Sequence, residues 1–467
     1  MARSDIFKLT AMFFGTILLI LFCRLELSMA QSLDEANRLN EQVIQLKKHG
    51  RYQEAIAIAK RALAILEKTY GKEHPEVVTR LNDLAGLYRV LGDYSNAEAL
   101  YKQSLTIIEK VFGPEHPLVA FSLDDLAKVY SDKKDYSKAE ALYKQALAIL
   151  EKAYGKEHLQ VANSLSNLAL LYSHLLAELA EKGRYREAID PATKILNINR
   201  QIFGEKHLDT ATSYSALAFL YHSAIGDYAK AEPLYQKALA IQKEKLGEKH
   251  PDTALSYQYL GKLYQDMGSY SKAEPLFRKT LTINKGLYGE KHLRTVVSYS
   301  HLGALYYSIG DYGKAEPLLQ KALAIRKNIL GEKHPDTATS YGSLGFLYEA
   351  MGDYGKAELL LQKALSINRE VLGEKHFHTA AGYSNLGVLY EAMGDYAKAE
   401  AMYQKALPII RKVLGEKHPH TAAGYNNLGL LYEAIGDYAK AEAMYQKALM
   451  IHKEVLGEKH PDTAASY

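Results

Sequence analysis

The sequence predicts an all-α fold: an α-solenoid, a superhelix of about ten stacked antiparallel helix pairs. Three observations predict it. The first is a period: the His that closes GEKH, or a close variant of it, recurs as His74, His116, His158, His207, His250, His292, His334, His376, His418 and His460. Successive intervals are 42 residues, except 49 before His207 and 43 before His250, and self-similarity at a fixed period of this length marks a stacked-repeat protein. The second is helical spacing inside each period: Tyr341, Leu344, Gly345 and Tyr348 fall at i, i+3, i+4 and i+7, one stripe of a helix. The third is punctuation, since Gly352 stops that helix and Asp353 can cap a second one. Two amphipathic helices joined by a short turn cannot bury their faces alone, so they must stack.

The chain has 467 residues, 24% of them charged, with a formal net charge of +4. That balance points neither to a disordered tail nor to a nucleic-acid binder. There is no Trp but there are 36 Tyr, most at repeated positions, which favours packing roles over chemistry. Residues 1–30 differ from the rest: Arg3 and Lys8 lead into an apolar run over 9–23, and Ser28, Met29 and Ala30 supply small residues before Gln31. This is the pattern of a secretory signal peptide, so the protein is expected to be exported, periplasmic or secreted. The alternative is an uncleaved anchor formed by residues 9–23, although a transmembrane helix normally needs roughly 20 apolar residues. Cys23 is the only cysteine, and bulky Phe22 before it argues against lipidation. Cleavage would leave a chain without disulfide or thiol chemistry.

The organisation expected after the signal peptide (1–30) is an N-terminal capping repeat (31–75), repeats over 76–208, regular C-terminal repeats over 209–461, and the start of a further repeat at 462–467. The capping unit has Gln42 and Leu46 where later units have Leu and Tyr, and its first helix is strongly polar, which suits an end exposed to water. The unit 160–208 carries seven extra residues, about Leu175–Glu181. Seven residues are close to two helical turns, so its first helix can lengthen while keeping its face; the extension reads as a tolerated protrusion, a docking edge or a joint between halves. In the unit from Asp336, the first helix is expected over about Thr337–Met351, and the second carries Ala357, Leu361, Ala364, Leu365 and Val371 inward before stopping at Gly373. Small residues mark close approach on the first helices (Ala85, Ala127, Ala169 and Ala218, then Gly261, Gly303, Gly345, Gly387 and Gly429), where a bulkier side chain would push packed helices apart. Pro191, Pro233, Pro275 and Pro317 lie in the first two turns of second helices, where a mild kink is expected. The chain stops at Tyr467 without a polar cap, which reads as a piece of a longer protein.

The repeated Tyr341, Leu344, Gly345, Tyr348, Ala357 and Leu361 resemble the tetratricopeptide signature W-x2-L-G-x2-Y followed by A-x3-F, with Tyr for Trp and Leu for Phe. The 42-residue unit, longer than the common 34, resembles the repeats of kinesin light chains and of the bacterial proteins that share them. The resemblance covers about residues 34–461. It implies a protein–protein interaction scaffold whose concave groove, lined by first helices, takes a peptide or protein. It also leaves open a sensor or regulatory arm of a larger enzyme, since bacterial proteins with similar repeats can end in a caspase-like protease domain.

Little in the sequence suggests catalysis. The ten loop histidines are separated by whole helix pairs, whereas zinc needs three or four ligands converging at about 2 Å. They read as loop and capping residues, with no metal and no cofactor expected. No GxxxxGK[ST], HExxH or GxSxG occurs, and the many Glu and Asp on helix faces read as solvated charge. Carried over from the repeat pattern, the groove positions are Tyr259, Lys262 and Gln265, then His301, Ala304 and Tyr307, then Ser343, Phe346 and Glu349, then Asn385, Val388 and Glu391, then Asn427, Leu430 and Glu433. Earlier counterparts are Asp83 and Arg89, then Asp125, Lys128 and Asp132. Acidic edges on an apolar floor fit a partner segment that is apolar with Lys or Arg; the plainer alternative is that the glutamates keep an exposed helix face soluble. Nucleic acid is not expected as a partner, and a membrane only if the N-terminal segment is an anchor.

Overall fold

The computed structural model describes residues 29–455 and 463. The predicted leader up to residue 28, the His460 loop and the start of an eleventh unit apart from Thr463 lie outside them. Among the described residues every regular element is helical, and the chain divides into two compact units, one ending at Leu171 and one starting at Tyr172. The first unit holds α1 (29–48), α2 (Tyr52–Tyr70), α3 (Pro75–Val90), α4 (Tyr94–Phe112), α5 (Pro117–Asp132), α6 (Tyr136–Tyr154) and the start of α7 (Leu159–Glu181). The second holds the end of α7, then α8 (Tyr185–Phe203), α9 (Leu208–Phe219), α10 (Tyr228–Leu246), α11 (Pro251–Asp266), α12 (Tyr270–Tyr288), α13 (Leu293–Ile309), α14 (Tyr312–Leu330), α15 (Pro335–Ala350), α16 (Tyr354–Leu372), α17 (Phe377–Ala392), α18 (Tyr396–Leu414), α19 (Pro419–Ala434) and α20 (Tyr438–Val455). Odd-numbered helices are the first of each pair and even-numbered helices the second.

Local chemistry fixes each boundary. His334 precedes α15 with extended backbone, and its Nδ1 accepts the Asp336 N–H at 3.1 Å, so the histidine of GEKH is a helix cap. Thr337 closes the same loop by donating its hydroxyl to the Gly331 carbonyl at 2.9 Å. At the other end of α15, the Asp353 N–H reaches the Tyr348 carbonyl at 2.8 Å and the Gly352 N–H reaches that of Glu349 at 2.9 Å. This closure needs the left-handed backbone that Gly352 adopts at φ +79°. Lys134 takes the same conformation at φ 61° where other units have glycine, which is strained for a residue with a Cβ. Asp353 then caps α16 by accepting the Lys356 N–H at 3.2 Å.

Side chains commit each pair to its neighbours. Tyr341 and Tyr348 of α15 are both buried, and they do different jobs. The Tyr341 hydroxyl donates to Glu332 of the GEKH loop, while the Tyr348 hydroxyl donates to Glu316 of the preceding α14 at 2.6 Å. The second bond recurs at a separation of 32 residues as Tyr264–Glu232, Tyr306–Glu274, Tyr390–Glu358 and Tyr432–Glu400, and in the first unit as Tyr130–Glu98. Lys356 lies over the Tyr348 ring at 4.9 Å, a cation–π contact of the same junction. Glutamates expected to be surface decoration therefore join successive pairs. Val371 is a second correction: it is 47% exposed, and Ile367 is buried in its place. Its counterparts Val111, Leu287, Ile329 and Val413 are exposed too, so the last turn of these even-numbered helices stands clear of the core. Pro191, Pro233, Pro275 and Pro317 leave their helices unbroken, as does Pro408 in the middle of α18, which the sequence reading did not single out.

The two irregular intervals have separate structural outcomes. The seven extra residues lengthen α7 to 23 residues, against 16 in α5, as the helical periodicity predicts. The added turns are packed: Leu179 is buried with Ala188 and Leu196 of α8, and Leu175 and Leu176 lie against the same core. The 43-residue interval is absorbed by a π-helical turn, Leu220–Ile225, that follows α9, the usual way a helix takes one inserted residue without losing its register.

Gly342 and Gly345, three residues apart on α15, separate space from crowding. A Cβ on Gly345 would stand 2.7 Å from Leu361 Cγ, and Leu361 is only 1% exposed, so it has nowhere to go; a Cβ on Gly342 would meet nothing within 4 Å. Gly345→Ala is expected to lose about 1–3 kcal/mol, whereas Gly342→Ala gains about 0.4–1 kcal/mol by restricting the unfolded chain. Urea midpoints of the two variants measure the difference; equal shifts would contradict the packing described.

Candidate functional site

With the repeated Tyr, Leu, Gly and Ala committed to stacking, what remains exposed on the odd-numbered helices is a narrow stripe. In the second unit, α11, α13, α15, α17 and α19 touch one another in succession, and the stripe runs across them. The expected groove residues Tyr259, Lys262, His301, Tyr307, Ser343, Phe346, Glu349, Asn385, Val388, Glu391, Asn427, Leu430 and Glu433 all lie on it, exposed or half-buried. Tyr307 and Leu430 are the most open of the apolar ones, at 38% and 52% exposure.

Several of these side chains are already engaged. Lys262 pairs with Asp266 at 2.5 Å, and His222 of the π-helical turn places Nε2 2.9 Å from the same carboxylate, joining α11 to the turn before it. Gln265 donates to Ser308 of α13 at 2.9 Å. The Ser343 hydroxyl bonds back to the Thr339 carbonyl. His301 stacks on Phe277, ring centroids 5.7 Å apart; burial, with Lys262 and Arg326 nearby, pushes its pKa down to about 4. In the first unit Arg89 pairs with Asp132 at 2.8 Å and Lys128 with Asp125 at 2.8 Å, so those candidates satisfy one another.

The acidic column Glu349, Glu391, Glu433 is built differently. The Tyr403 hydroxyl donates to Glu391 at 2.9 Å and the Tyr445 hydroxyl to Glu433 at 2.7 Å. Both rings lie against glycines: a Cβ would stand 2.5 Å from Tyr403 at Gly387 and 2.6 Å from Tyr445 at Gly429. In the pair between them and α13, Leu361 occupies the tyrosine's place, so Glu349 has no such hydroxyl to accept from. Burial raises the pKa of Glu349 and of Glu391 above the ordinary carboxylate value. No lysine or arginine occurs in α15, α17 or α19.

Sequence reasoning missed a cavity of about 620 Å³ at the start of this stripe. Leu176 and Ala180 of the lengthened α7 form one wall, Phe219 and Leu220 at the π-helical turn another, and Leu255 and Tyr259 of α11 a third. Phe219 is 50% and Leu255 42% exposed, and Tyr259 stacks on Tyr235 at 5.9 Å. The signal was in the sequence as two departures from the 42-residue interval on either side of His207. Among the described residues, no three His, Cys, Asp or Glu side chains are grouped to hold a metal ion, and no helix is long and apolar enough to cross a membrane.

The tetratricopeptide repeat model matches residues 39–107, 77–152, 135–181, 173–244, 222–286, 260–328, 294–370, 378–454 and 425–467. This chain belongs to the tetratricopeptide repeat family. Arrays of the family are protein-interaction scaffolds, their stacked units presenting an extended surface. The array is similar to the solved structure of BtubC (BKLC) from P. vanneervenii, with 27% identity over 51% of this chain and 92% of that one and a TM-score of 0.38. It is also similar to a putative kinesin light chain with nearly identical TPR-like repeats from Podosopora anserina, at 22% identity over 55% and 97% of the two chains, TM-score 0.24. Aspartyl phosphate phosphatase F from Bacillus subtilis shares the fold at 13% identity over 82% and 95%, TM-score 0.51. No curated protein matches the chain.

Titration of the half-buried His418 gives the array a measurable pH response. His418 touches the α7–α8 turn, where a Cβ on Gly183 would lie 3.2 Å from its ring; burial, with His420 beside it, pulls its pKa down to about 4. A histidine whose folded pKa lies below its unfolded value of about 6.5 favours folding in its neutral form. Its contribution is therefore complete above about pH 6.5 and lost as pH falls towards 4. Glu290 and Glu332, held at about 2 by lysines and a tyrosine hydroxyl, act lower, their contribution fading from about pH 4.5 to 2. His418→Asn keeps a capping side chain without the titration. Between pH 7 and 5 the wild type is expected to lose more stability than this variant in urea titrations; parallel losses would contradict the assignment.

Proposed function

We propose that the second unit holds an extended partner segment, apolar with lysine or arginine, along the exposed stripe of its odd-numbered helices. The observation that carries this is the column Glu349, Glu391 and Glu433 with Phe346, Val388 and Leu430 on three helices that contain no lysine or arginine, beside Tyr307 of the neighbouring α13. Carboxylates of one sign beside exposed apolar groups recruit a complementary segment, the charge setting register and encounter rate and the apolar contacts supplying affinity. The hydrogen bonds from buried Tyr403 and half-buried Tyr445 also orient Glu391 and Glu433, so less side-chain freedom is lost on binding. We read no catalytic step in this arrangement: its groups orient and bind.

Affinity capture from the envelope fraction, followed by mass spectrometry, identifies the partner. Recovery is then compared across charge variants of the bait. The double variant Glu391→Lys/Glu433→Lys is expected to bind at least about tenfold more weakly than wild type. Glu391→Gln/Glu433→Gln, which keeps an acceptor for both tyrosines, should fall between them. Unchanged recovery by the lysine variant, with its thermal midpoint intact, would sink the reading.

We also propose that the protein is exported. The support is the basic start, the apolar run 9–23 and the small residues before Gln31. N-terminal sequencing of the protein from its native source should begin at Gln31; a chain that retains residues 9–23 and partitions with membranes would indicate the anchor instead.

A further inference from the structure

We propose that the edge of the second unit formed by the last turns of its even-numbered helices docks on an anionic lipid bilayer. Two features that packing does not explain meet there. The first is apolar: Leu287, Ile329, Val371 and Val413, at the same position of α12, α14, α16 and α18, are 42–47% exposed. The second is a broken charge ladder. The lysine of GEKH reaches a glutamate in the last turn of the next even-numbered helix: Lys206 pairs with Glu244 at 3.1 Å, Lys333 with Glu370 at 2.5 Å and Lys417 with Glu454 at 2.6 Å. At the other three steps the partner position holds Gly286, Asn328 or Lys412, so Lys249, Lys291 and Lys375 have no such carboxylate. Each partner position immediately precedes the exposed apolar residue, which puts lysines and aliphatic side chains on one edge. Lys245, which takes the apolar position in α10, and Lys412 are likewise exposed and without an ion pair among the described residues. The loop glutamates do not offset these charges. Glu248, Glu290 and Glu332 each lie within ion-pair distance of two other lysines, and Glu374 and Glu416 of an arginine.

The residue types favour lipid over protein. Protein interfaces are anchored by aromatic or arginine side chains seated in pockets, whereas this row is aliphatic and its unpaired cations are all lysines. Lysine is a hydrated point charge without the planar fork that reads one particular carboxylate, which suits headgroups that diffuse. Aliphatic side chains standing clear of the core can enter the headgroup boundary one by one, and each lysine near an anionic surface adds about fivefold to partition. Such contact is peripheral and needs no membrane-crossing helix. None of these residues belongs to the acidic column, so the two readings stand independently.

Co-sedimentation of the full chain with vesicles of phosphatidylcholine and about one-third phosphatidylglycerol is the test. Vesicles of phosphatidylcholine alone are the reference, since a retained apolar leader would bind both. The triple variant Gly286→Glu/Asn328→Glu/Lys412→Glu completes the ladder. A Cβ at Gly286 meets nothing within 4 Å, and Asn328 and Lys412 are exposed, so the fold is kept, as circular dichroism and the urea midpoint will verify. Wild type should partition at least about tenfold more strongly onto the anionic vesicles than onto the reference, and lose most of that preference in about 0.5 M salt. The triple variant should bind the anionic vesicles at least about tenfold more weakly than wild type, and Val371→Ser/Val413→Ser about threefold more weakly. Lys47→Glu/Lys48→Glu, which lowers the net charge by the same amount at exposed lysines of α1, should stay within about twofold of wild type. Equal partition of wild type onto both vesicles, undiminished binding by the folded triple variant, or an equal loss in the α1 variant would overturn the proposal. Capture of soluble polyglutamate without vesicle binding would overturn it too, and assign the edge to an acidic protein.

Discussion

One hydrogen bond between neighbouring helix pairs underlies the rest of the structure. The tyrosine near the end of α5, α11, α13, α15, α17 and α19 donates to a glutamate 32 residues earlier, on the second helix of the preceding pair. It is a neutral donor meeting a charged acceptor at the edge of the core, with a lysine laid over the ring. Bonds of that kind are stronger than neutral ones and have a fixed direction. An array in which each unit packs chiefly on its neighbours depends on the junctions between them, with the approach of His418 to the α7–α8 turn an additional, distant contact. The Gly345–Leu361 and Gly387–Tyr403 approaches set how near the two helices of a pair lie, and the Tyr–Glu bond holds that pair to the one before.

That commitment explains which residues are left to act. Along α15, α17 and α19 the buried positions are those of the repeat signature, and the remaining stripe carries Ser343, Phe346 and Glu349 and their counterparts. The GEKH loop is equally occupied: its Glu accepts from a tyrosine, its His caps a helix, and the Thr that follows closes the turn. Histidines that invite a metal reading are in fact helix caps. In the first unit, the corresponding stripe is internally paired through Arg89–Asp132. The acidic edge on helices without lysine or arginine belongs to the second.

Much of the fold was legible because it repeats. The period, the Asp caps, the positive-φ glycines and the small residues at crossings can each be read from a single unit. The two extra turns of α7 could be read as well, since seven residues preserve the helical face. The Tyr–Glu bond was not legible, because it joins residues whose proximity depends on how one pair sits on the next; the glutamates looked like solvated charge. Val371 was misplaced for a related reason: helical phase puts it inward, but the last turn of α16 extends past what covers it. The positions of the candidate stripe were legible, whereas the pairing of Lys262 with Asp266 and of Glu391 with Tyr403 was not. The cavity escaped because it arises where the repeat is broken, and an argument from periodicity is weakest there.

The junction can be measured by a double-mutant cycle on Tyr390 and Glu358 with Tyr390→Phe, Glu358→Gln and the pair, each unfolded in urea. The account predicts a coupling energy of about 1 kcal/mol or more, within the range for directly bonded residues. Additive losses, with no coupling between the two positions, would contradict the claim that this bond ties one helix pair to the next.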